Sequence, residues 1–304
     1  MINFDFPELA DREWLSPELS ASGKLGSEWA FGTLFIWKNT YYSKVCRVQD
    51  GTLFCFSGPL HTYNMPLCEK DRFADLMEMM IADAAERGHP FQLWGATREQ
   101  TEELERLFPG RFRFEMDRNG SDYIYRSEDL IRLSGRKFHG KRNHIAQFDR
   151  KYSWSYEDLT RENREDCRSV AKQWCEAHGG CRDKNGFASE PCAISRALNY
   201  FDELHLTGGL IRVEGKPAAF TIGEEINPKI YLLHFEKALD GYDGLYAVIN
   251  HEYAARHLEG YELINREEDM GIEGLRKAKL SYHPVILLDR YRVTLADENG
   301  DAEK

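Results

Sequence analysis

The sequence predicts a fold of the α/β (α+β) class, with mixed sheets flanked by helices, and three observations support it. Helical and strand patterns alternate along most of the 304 residues. The apolar and charged fractions, 42% and 30%, are typical of a globular chain. No apolar run approaches the roughly 20 residues of a membrane-spanning helix. We therefore expect a soluble protein with one large domain or two of ordinary size.

Charge and cysteine content narrow the class of protein. The net charge of −11 argues against general nucleic-acid binding, although a local basic surface stays open. The seven cysteines form no CxxC pair, and the first residues lack the pattern of a signal peptide, so we expect reduced thiols and a cytoplasmic location. Cys175 and Cys181 flank His178, but no second pair stands at zinc spacing, so no metal site is predicted.

The first half of the chain reads as a hairpin followed by helices and strands. Asp50-Gly51 is a hairpin turn within residues 46–56. A helix over residues 71–87 has Gly88 where a left-handed cap should stand. Thr97 and Gln100 form a capping box for the next helix, which runs to Leu107. Strands are predicted at 91–96, 111–116 and 122–125.

The second half carries a meander and a glycine loop. A helix over 160–178 stops at Gly179-Gly180, and Ser189 caps the next helix. The other predicted elements are strands at 209–213, 218–222 and 230–235, a loop at 240–244, a helix at 245–258, and strands at 261–264 and 285–288, the last of the chain.

This element order resembles an acetyltransferase-type (GNAT-like) domain. In that fold a splayed strand leads into a glycine turn, and a helix N-terminus presents backbone N–H groups to a phosphate or carbonyl. Gly241 and Gly244 stand at the corresponding corner. The usual leading Gln or Arg is absent and bulky Tyr246 takes the last small-residue position, which counts against coenzyme A.

Residues 264–282 combine charges of both signs between apolar flanks. The segment fits either a solvated strand-to-helix corner or a polar pocket for a zwitterionic or anionic group. If the strand continued, Asn265, Glu267 and Asp269 would share one face, and Arg266 and Glu268 the other. Unpaired buried carboxylates are costly. We therefore expect at least one carboxylate of 267–269 to pair with a cation from the set Arg266, Arg276, Lys277 and Lys279.

Residues 132–144 contain no carboxylate and mark a domain junction. The segment is either a solvated connecting helix or an electropositive arm that meets phosphates.

Four motifs carry a resemblance that runs from about Phe31 to the C-terminus. They are Asp-Tyr-Ile-Tyr-Arg at 122–126, the basic run at 135–144, His-Phe-Glu-Lys-Ala at 234–238, and residues 264–271 with 275–282. With them the chain resembles the phosphatidylglycerol lysyltransferase C-terminal-like family, in its soluble stand-alone branch. The resemblance implies two GNAT-like lobes in tandem, related to enzymes that take an aminoacyl group from charged tRNA. We assign an N-terminal lobe to 1–131, a basic junction to 132–151, a C-terminal lobe to 152–296 and a disordered acidic tail to 297–304.

The resemblance and the residues together give a functional hypothesis. We expect an acyltransferase that moves an aminoacyl group from aminoacyl-tRNA to an amine or hydroxyl of a lipid head group or other small acceptor. The predicted catalytic residues are Glu236, Lys237, Glu267 and Asp269. The predicted substrate-binding residues are His234, Gly241, Gly244, Asn265, Arg266, Glu268, Arg276, Lys277, Lys279 and Tyr282. The predicted phosphate- or tRNA-binding residues are Arg136, Lys137, His139, Lys141, Arg142 and Asn143.

Alternatives stay open at this point. His234 reads either as a general base or as a satisfied core histidine. An acetyl-CoA-dependent N-acetyltransferase and a non-catalytic module that senses an amino acid or nucleotide are the other functions. No cofactor is expected if coenzyme A is excluded. An exposed amphipathic or basic face could contact a membrane surface.

Overall fold

The architecture is taken from a computed structural model that describes residues 1–49, 51–57, 61–178 and 190–296. Within these ranges the helices are α1 (Arg12–Ala21), α2 (Phe31–Ile36), α3 (Lys38–Tyr41), α4 (Phe73–Arg87), α5 (Arg98–Leu107), α6 (Ser127–Arg132), α7 (His139–Lys151), α8 (Arg164–Ala177), α9 (Glu190–Asn199), α10 (Leu245–His257) and α11 (Glu273–Leu280). The strands are β1 (Ser43–Val48), β2 (Gly51–Ser57), β3 (His61–Asn64), β4 (Leu67–Cys68), β5 (Gln92–Ala96), β6 (Phe112–Met116), β7 (Asp122–Arg126), β8 (Trp154–Asp158), β9 (Thr207–Val213), β10 (Lys216–Asn227), β11 (Ile230–Ala238), β12 (Leu263–Asn265), β13 (Ile286–Leu288) and β14 (Tyr291–Leu295).

The strands form two mixed sheets flanked by helices, which confirms the predicted fold class. The first sheet has the order β1-β2-β3-β5-β14-β6, with β4 also paired to β2. The second has the order β13-β7-β12-β11-β10-β9-β8. In each sheet one neighbouring pair is parallel, β3 with β5 and β11 with β12, while the other pairs are antiparallel.

The two sheets exchange strands across the chain. β7, from the first half, lies between β13 and β12 in the second sheet, and β14 lies between β5 and β6 in the first. The prediction that residues 285–288 are the last strand is therefore wrong. β14 follows them, and its Val293 is buried in the first sheet. The lobe boundaries at 131 and 152 stay a prediction. Each sheet takes one strand from the other half of the chain, so the sheets alone do not define these boundaries. The predicted acidic tail lies outside the described residues.

Local sequence signals set several element ends. The β1–β2 hairpin is confirmed, although Asp50 lies outside the described residues. α4 ends at Gly88, whose φ of 76° is one that a glycine adopts without strain. Thr97 and Gln100 form the predicted capping box of α5. The predicted stop at Gly179-Gly180 and the Ser189 cap lie outside the described residues.

A buried polar cluster connects the two sheets next to the charged segment 264–282. Arg290, just before β14, donates to Glu28 at 2.5 Å and to Asp122 at 3.0 Å. Asn265 Nδ2 donates to the same Asp122 carboxylate at 2.8 Å. All four side chains are buried. These hydrogen bonds link the end of β12 to both sheets, and Arg290 Nε is left without a partner among the described residues.

Candidate functional site

β11 and β12 separate after a short parallel contact. Several polar side chains lie near the point where the two strands part, which we call the gap. The pairing of the two strands covers three registers, from Ile230 opposite Leu263 to Leu232 opposite Asn265. β11 continues to Ala238, whereas the chain after Asn265 turns away, with Glu267 at a φ of 57°. The predicted alternation of faces beyond Asn265 therefore does not occur, because the strand ends there.

His234 lies at a β-bulge on the edge of this gap. Ile222 of β10 pairs with Phe235 and Gly223 pairs with Leu233, so His234 is the extra residue. A bulge changes the direction in which its side chain points. The imidazole Nε2 lies 2.8 Å from Glu224 Oε1, and Nδ1 lies 3.1 Å from Glu267 Oε1.

The two carboxylates determine the charge of His234. Burial lowers the pKa of the imidazole, but the hydrogen bonds to Glu224 and Glu267 outweigh this and raise the pKa to about 9. Glu224 also accepts a hydrogen bond from Gly32 N at 3.2 Å. A doubly hydrogen-bonded imidazolium cannot serve as a free base at neutral pH, so this geometry favours a positioning role for His234.

Glu268 differs from its neighbour Glu267 because no other described residue donates a hydrogen bond to its carboxyl group. Burial, followed by the nearby charges of Glu267 and Asp122, raises the pKa of Glu268 to about 8. A carboxyl group that titrates near neutral pH can take up and release a proton during turnover.

Glu236 lies on β11 and accepts hydrogen bonds at both carboxylate oxygens. Arg266 Nη2 donates to Oε1 at 2.8 Å, and Asn250 Nδ2 of α10 donates to Oε2 at 3.0 Å. The Arg266 guanidinium lies 4.8 Å from the ring centre of Tyr282 and 5.7 Å from that of Tyr125. Glu236 and Arg266 were both predicted as site residues, and the structure brings them into contact at the gap.

Two atoms of this cluster are buried without a partner among the described residues. They are Arg266 Nη1, a donor, and Asn250 Oδ1, an acceptor. Leaving a buried polar atom unpaired costs about 1–3 kcal/mol, so each such atom calls for an explanation. A ligand that presents one acceptor and one donor beside Glu236 would satisfy both.

Lys141 of α7 adds a further cation near this cluster. Its Nζ lies 3.7 Å from the ring centre of Tyr282. Burial and the nearby Arg266 charge lower the pKa of Lys141 to about 8. The ammonium is therefore held by an aromatic ring beside Arg266.

Asp269 shows the opposite situation, because its buried carboxylate is fully engaged. Arg276 binds both oxygens at 2.8 Å, and Tyr123 Oη, Gly271 N and Arg118 Nη1 donate at 2.5, 2.8 and 3.3 Å. The hydrogen bond from Arg276 keeps the pKa of Asp269 well below its usual range. The prediction that a carboxylate of 267–269 pairs with a nearby cation is confirmed. The expected position of this pair beside the strand end at 236–244 stays a prediction.

Lys279 fixes the same loop from beneath. Its buried ammonium donates to the backbone carbonyl oxygens of Arg266, Glu267 and Glu268, at 3.0 Å for Glu267. Because three successive carbonyl oxygens point at one ammonium, the backbone of this loop is held in a single shape.

The remaining predicted residues lie around the gap rather than in it. Lys237 points to the other face of β11, where its Nζ is 2.8 Å from Glu190 Oε2 and 3.8 Å from the Trp174 ring centre. Asn265 is occupied by Asp122, as described above. Lys277 is exposed and makes no ion pair within the described residues.

The glycine loop is closed on one side by α7. Gly244 begins α10 at a φ of 91°, and a Cβ there would lie 2.8 Å from the carbonyl oxygen of His144. Gly241 O accepts a hydrogen bond from Tyr152 Oη at 3.2 Å. Tyr246 Oη accepts one from Trp174 Nε1 at 3.0 Å. These contacts hold the loop at Gly244 and Tyr246, whereas a Cβ at Gly241 would meet no atom within 4 Å.

The basic segment is partly used within the chain. Lys137 pairs with Asp129 at 2.9 Å, and Arg142 donates to the carbonyl oxygens of Leu133 and Gly135. The side chains that remain exposed and without a described contact are Arg136, His139 and Asn143.

The described ranges contain no group of three His, Cys, Asp or Glu residues arranged to hold a metal ion. Cys181 of the Cys/His cluster lies outside these ranges. No helix in these ranges has both the length and the apolar character needed to cross a bilayer.

Sequence reasoning did not identify Glu224 and Asn250 as parts of the site. A usable signal was present for each. Glu224 is a carboxylate that directly follows the mainly apolar run 217–223 of β10, and Asn250 falls on the apolar face of α10 next to Val248 and Ile249. Buried polar residues at such positions are informative because they need partners.

Comparison with known proteins places this chain in a family and identifies its fold. The family model described as phosphatidylglycerol lysyltransferase, C-terminal, matches residues 20–294. The chain is similar to a conserved protein of unknown function from Bacteroides thetaiotaomicron VPI-5482, with 38% identity and a TM-score of 0.91, over 97% of this chain and 100% of that one.

Two more distant structures show the fold alone. The structure of L-PGS from Bacillus licheniformis has 17% identity and a TM-score of 0.66, over 95% of this chain and 93% of that one. A tandem GNAT protein from the clavulanic acid biosynthesis pathway has 11% identity and a TM-score of 0.52, over 100% of both chains. The fold is thus a tandem of GNAT-like lobes, as predicted.

One curated relative matches part of the chain. It is an uncharacterized protein of Mycoplasmoides gallisepticum, 25% identical over 181 residues. The match covers 58% of this chain and 56% of that protein, so the chain spans little more than half the length of this relative.

Proposed function

Because the chain belongs to the family of phosphatidylglycerol lysyltransferase C-terminal domains, we propose that it transfers an aminoacyl group from a charged tRNA to an amine or hydroxyl acceptor. Family and fold support a transferase in general. The observation that carries the finer proposal is the unpaired donor and acceptor on either side of Glu236, Arg266 Nη1 and Asn250 Oδ1.

An aminoacyl ester offers the groups that this cluster lacks. Its α-ammonium carries donors for the Glu236 carboxylate and for Asn250 Oδ1, and its carbonyl oxygen can accept from Arg266 Nη1. The carbonyl oxygen gains negative charge when the carbon becomes tetrahedral. A hydrogen bond from Arg266 Nη1, which has no acceptor among the described residues, would then stabilise the transition state more than the ground state.

The transfer requires one bond exchange and one proton relay. The acceptor nitrogen or oxygen attacks the ester carbonyl carbon and forms the new C–N or C–O bond. The C–O bond to the tRNA ribose breaks. The acceptor's proton passes to the leaving ribose oxygen, so that atoms and charge balance. A lipid head group with a free hydroxyl or amine is the acceptor class that the family description suggests.

The other charged residues support this arrangement. His234 holds Glu267 through its second nitrogen, while Asp269, Arg276 and Lys279 hold the loop that carries Arg266 and Glu268. In this proposal Asp269 is a positioning residue, because its carboxylate has no free site. Lys237 has no part in the transfer step, because it pairs with Glu190 on the other face of β11.

Acetyl-CoA is not proposed as the donor, since the backbone of α7 lies against Gly244. Calorimetry tests this exclusion directly. We expect no saturable heat with acetyl-CoA at millimolar concentration, and a micromolar isotherm would put acetyl transfer ahead of aminoacyl transfer.

The proposed transfer is tested with purified protein, labelled aminoacyl-tRNA pools and vesicles that contain phosphatidylglycerol, with a free amine acceptor in parallel. We expect label in the acceptor, and Glu236→Gln to lower kcat/KM about 100-fold, since a buried charged contact is lost. Glu115→Gln, an exposed carboxylate on β6, is the matched control. If no charged tRNA supports transfer, or if Glu236→Gln transfers as the parent does, the proposal fails.

A further inference from the structure

The exposed apolar side chains of the protein are concentrated in one short segment. Within the described ranges, thirteen large hydrophobic residues are exposed, and six of them fall between residues 270 and 287. They are Met270, Ile272, Leu275, Leu280, Val285 and Leu287, at 62%, 54%, 36%, 43%, 43% and 38% exposure. Scattered apolar residues are normal on a surface, but a cluster marks an interaction site.

α11 in this segment has an inverted polarity. A surface helix normally turns its apolar stripe toward the core. Here the side facing the second sheet is anchored by polar groups: Lys279 is buried under three backbone carbonyl oxygens, and Arg276 binds Asp269. Leu275 and Leu280 are turned to solvent. Lys279 and Arg276 attach α11 to the rest of the protein, so Leu275 and Leu280 stay exposed and could contact another molecule.

Positive charge borders this apolar face. Between residues 270 and 287 the exposed cation without a described ion pair is Lys277, because Lys279 is buried and Arg276 is bound to Asp269. Glu273 is the one carboxylate in this stretch of sequence. The basic segment 135–142 lies against the end of α11. The ring of His283 packs edge-on against Phe138 at 5.5 Å, and Nε2 of His283 lies 3.2 Å from Lys137 O. Arg136 and His139 are exposed beside that contact.

We propose that residues 270–287 together with 135–142, which we call the α11 surface, dock the protein on an anionic lipid bilayer. The aliphatic side chains would enter the boundary between head groups and acyl chains, and the flanking cations would meet lipid phosphates. A protein with a net charge of −11 is repelled by an anionic membrane over most of its surface. Among the described residues, the α11 surface combines exposed aliphatic side chains with the exposed cations Arg136 and Lys277, and we expect this face to approach one.

The charge and the kind of apolar residue decide between possible partners. RNA binding uses cations together with aromatic platforms for the bases, and it gains nothing from exposed Met, Ile and Leu. A second copy of this chain related by two-fold symmetry would bring two basic edges together. An anionic bilayer complements both the aliphatic centre and the basic edge, and it would use the predicted phosphate contacts of Arg136 and His139.

Vesicle flotation with the full chain tests this inference. The probes are phosphatidylcholine vesicles and vesicles with equal parts of phosphatidylcholine and phosphatidylglycerol. We expect flotation with the anionic vesicles alone, weakened by salt. Met270→Asn with Ile272→Ser should lower the bound fraction at least about fivefold, because less apolar area is buried. Asn is chosen at Met270 because φ is 53° there.

Further variants separate the surface from the proposed transfer site and from misfolding. Leu275→Ser with Leu280→Ser should repeat the loss, and Met79→Ser, an exposed methionine on α4, should float as the parent does. Asn250→Leu should keep flotation even where transfer is lost, so failure of the proposed function and failure of docking are distinguishable.

Three results would overturn the inference. The first is an absence of flotation with anionic vesicles, and the second is flotation that the apolar variants leave unchanged. The third is a dimer in sedimentation, or a tRNA complex in a gel shift, that the apolar variants abolish while flotation persists.

Discussion

Arg266 and Arg276 each bind a carboxylate at the same loop, yet the two pairs differ in what they leave unused. Arg276 and Asp269 form a pair in which the carboxylate accepts five hydrogen bonds. Arg266 and Glu236 form a pair next to an unpaired donor and an unpaired acceptor. The first arrangement is complete without a ligand and the second is not. Full pairing is expected of a structural ion pair, and the two unpaired atoms beside Glu236 are the ones that the proposed substrate would contact.

The largest effect on stability is expected at the saturated pair. Asp269→Asn removes the buried charge that Arg276, Arg118 and Tyr123 surround, and we expect the free energy of unfolding to fall by about 3 kcal/mol. Urea unfolding at neutral pH measures it, with Glu115→Gln as the control. A loss below about 1 kcal/mol would mean that Asp269 is not the structural member of the comparison.

A pH-dependent effect of intermediate size is expected at Glu268. The pKa of this acid is raised from 4.5 to about 8 in the folded protein. The native state therefore holds a proton that the unfolded state has released, and the free energy of unfolding falls as pH rises between these two values. Glu268→Gln has no such proton to lose. As pH rises from about 5 to about 8, the free energy of unfolding of the variant should therefore increase by about 1 kcal/mol relative to that of the parent.

His234 sets the background of that measurement. Its pKa is raised to about 9, so its stabilising contribution is present below the usual histidine pKa and is lost as pH rises through about 9 in parent and variant alike. The difference between the two unfolding curves isolates Glu268. Parallel curves across the whole range would show that Glu268 does not carry the raised pKa.

The smallest effect on stability is expected at the incomplete pair. Asn250→Leu removes one hydrogen bond to Glu236 together with an unpaired buried acceptor, and these two changes offset each other to within about 1 kcal/mol. Aminoacyl transfer should nevertheless fall about 30-fold, because the ammonium loses its second acceptor. A variant that unfolds much more easily while it transfers normally would reverse the roles assigned to the two pairs.

The sequence was sufficient for the class of fold and for one feature of the loop. Alternating patterns predicted the β1–β2 hairpin, α4, the α5 cap and the meander, because each depends on neighbours in sequence. The same holds for the pairing of Asp269 with Arg276, since the two residues lie on one short loop and helix. Such local signals survive in a single sequence.

The features that the sequence did not predict depend on distant partners or on a single extra residue. The place of β14 between β5 and β6 is decided by packing across the whole chain. The Glu224 contact of His234 depends on a one-residue bulge, which changes the face to which a side chain points. The alternation expected beyond Asn265 failed because the left-handed backbone at Glu267 ends the strand. The assignments of catalytic and binding roles stay predictions.

The position of β14 has a consequence for how the chain is made. A ribosome delivers β5 and β6 when little more than a third of the protein has emerged, but the strand that joins them follows at residues 291–295. Until β14 is made, β5 and β6 each have an edge whose backbone N–H and C=O groups lack the partner strand of the finished sheet. The first sheet is therefore begun early in synthesis and completed late. A nascent chain that stalls before Tyr291 would leave these edges of β5 and β6 unpaired, and they could then pair wrongly with a strand of another chain.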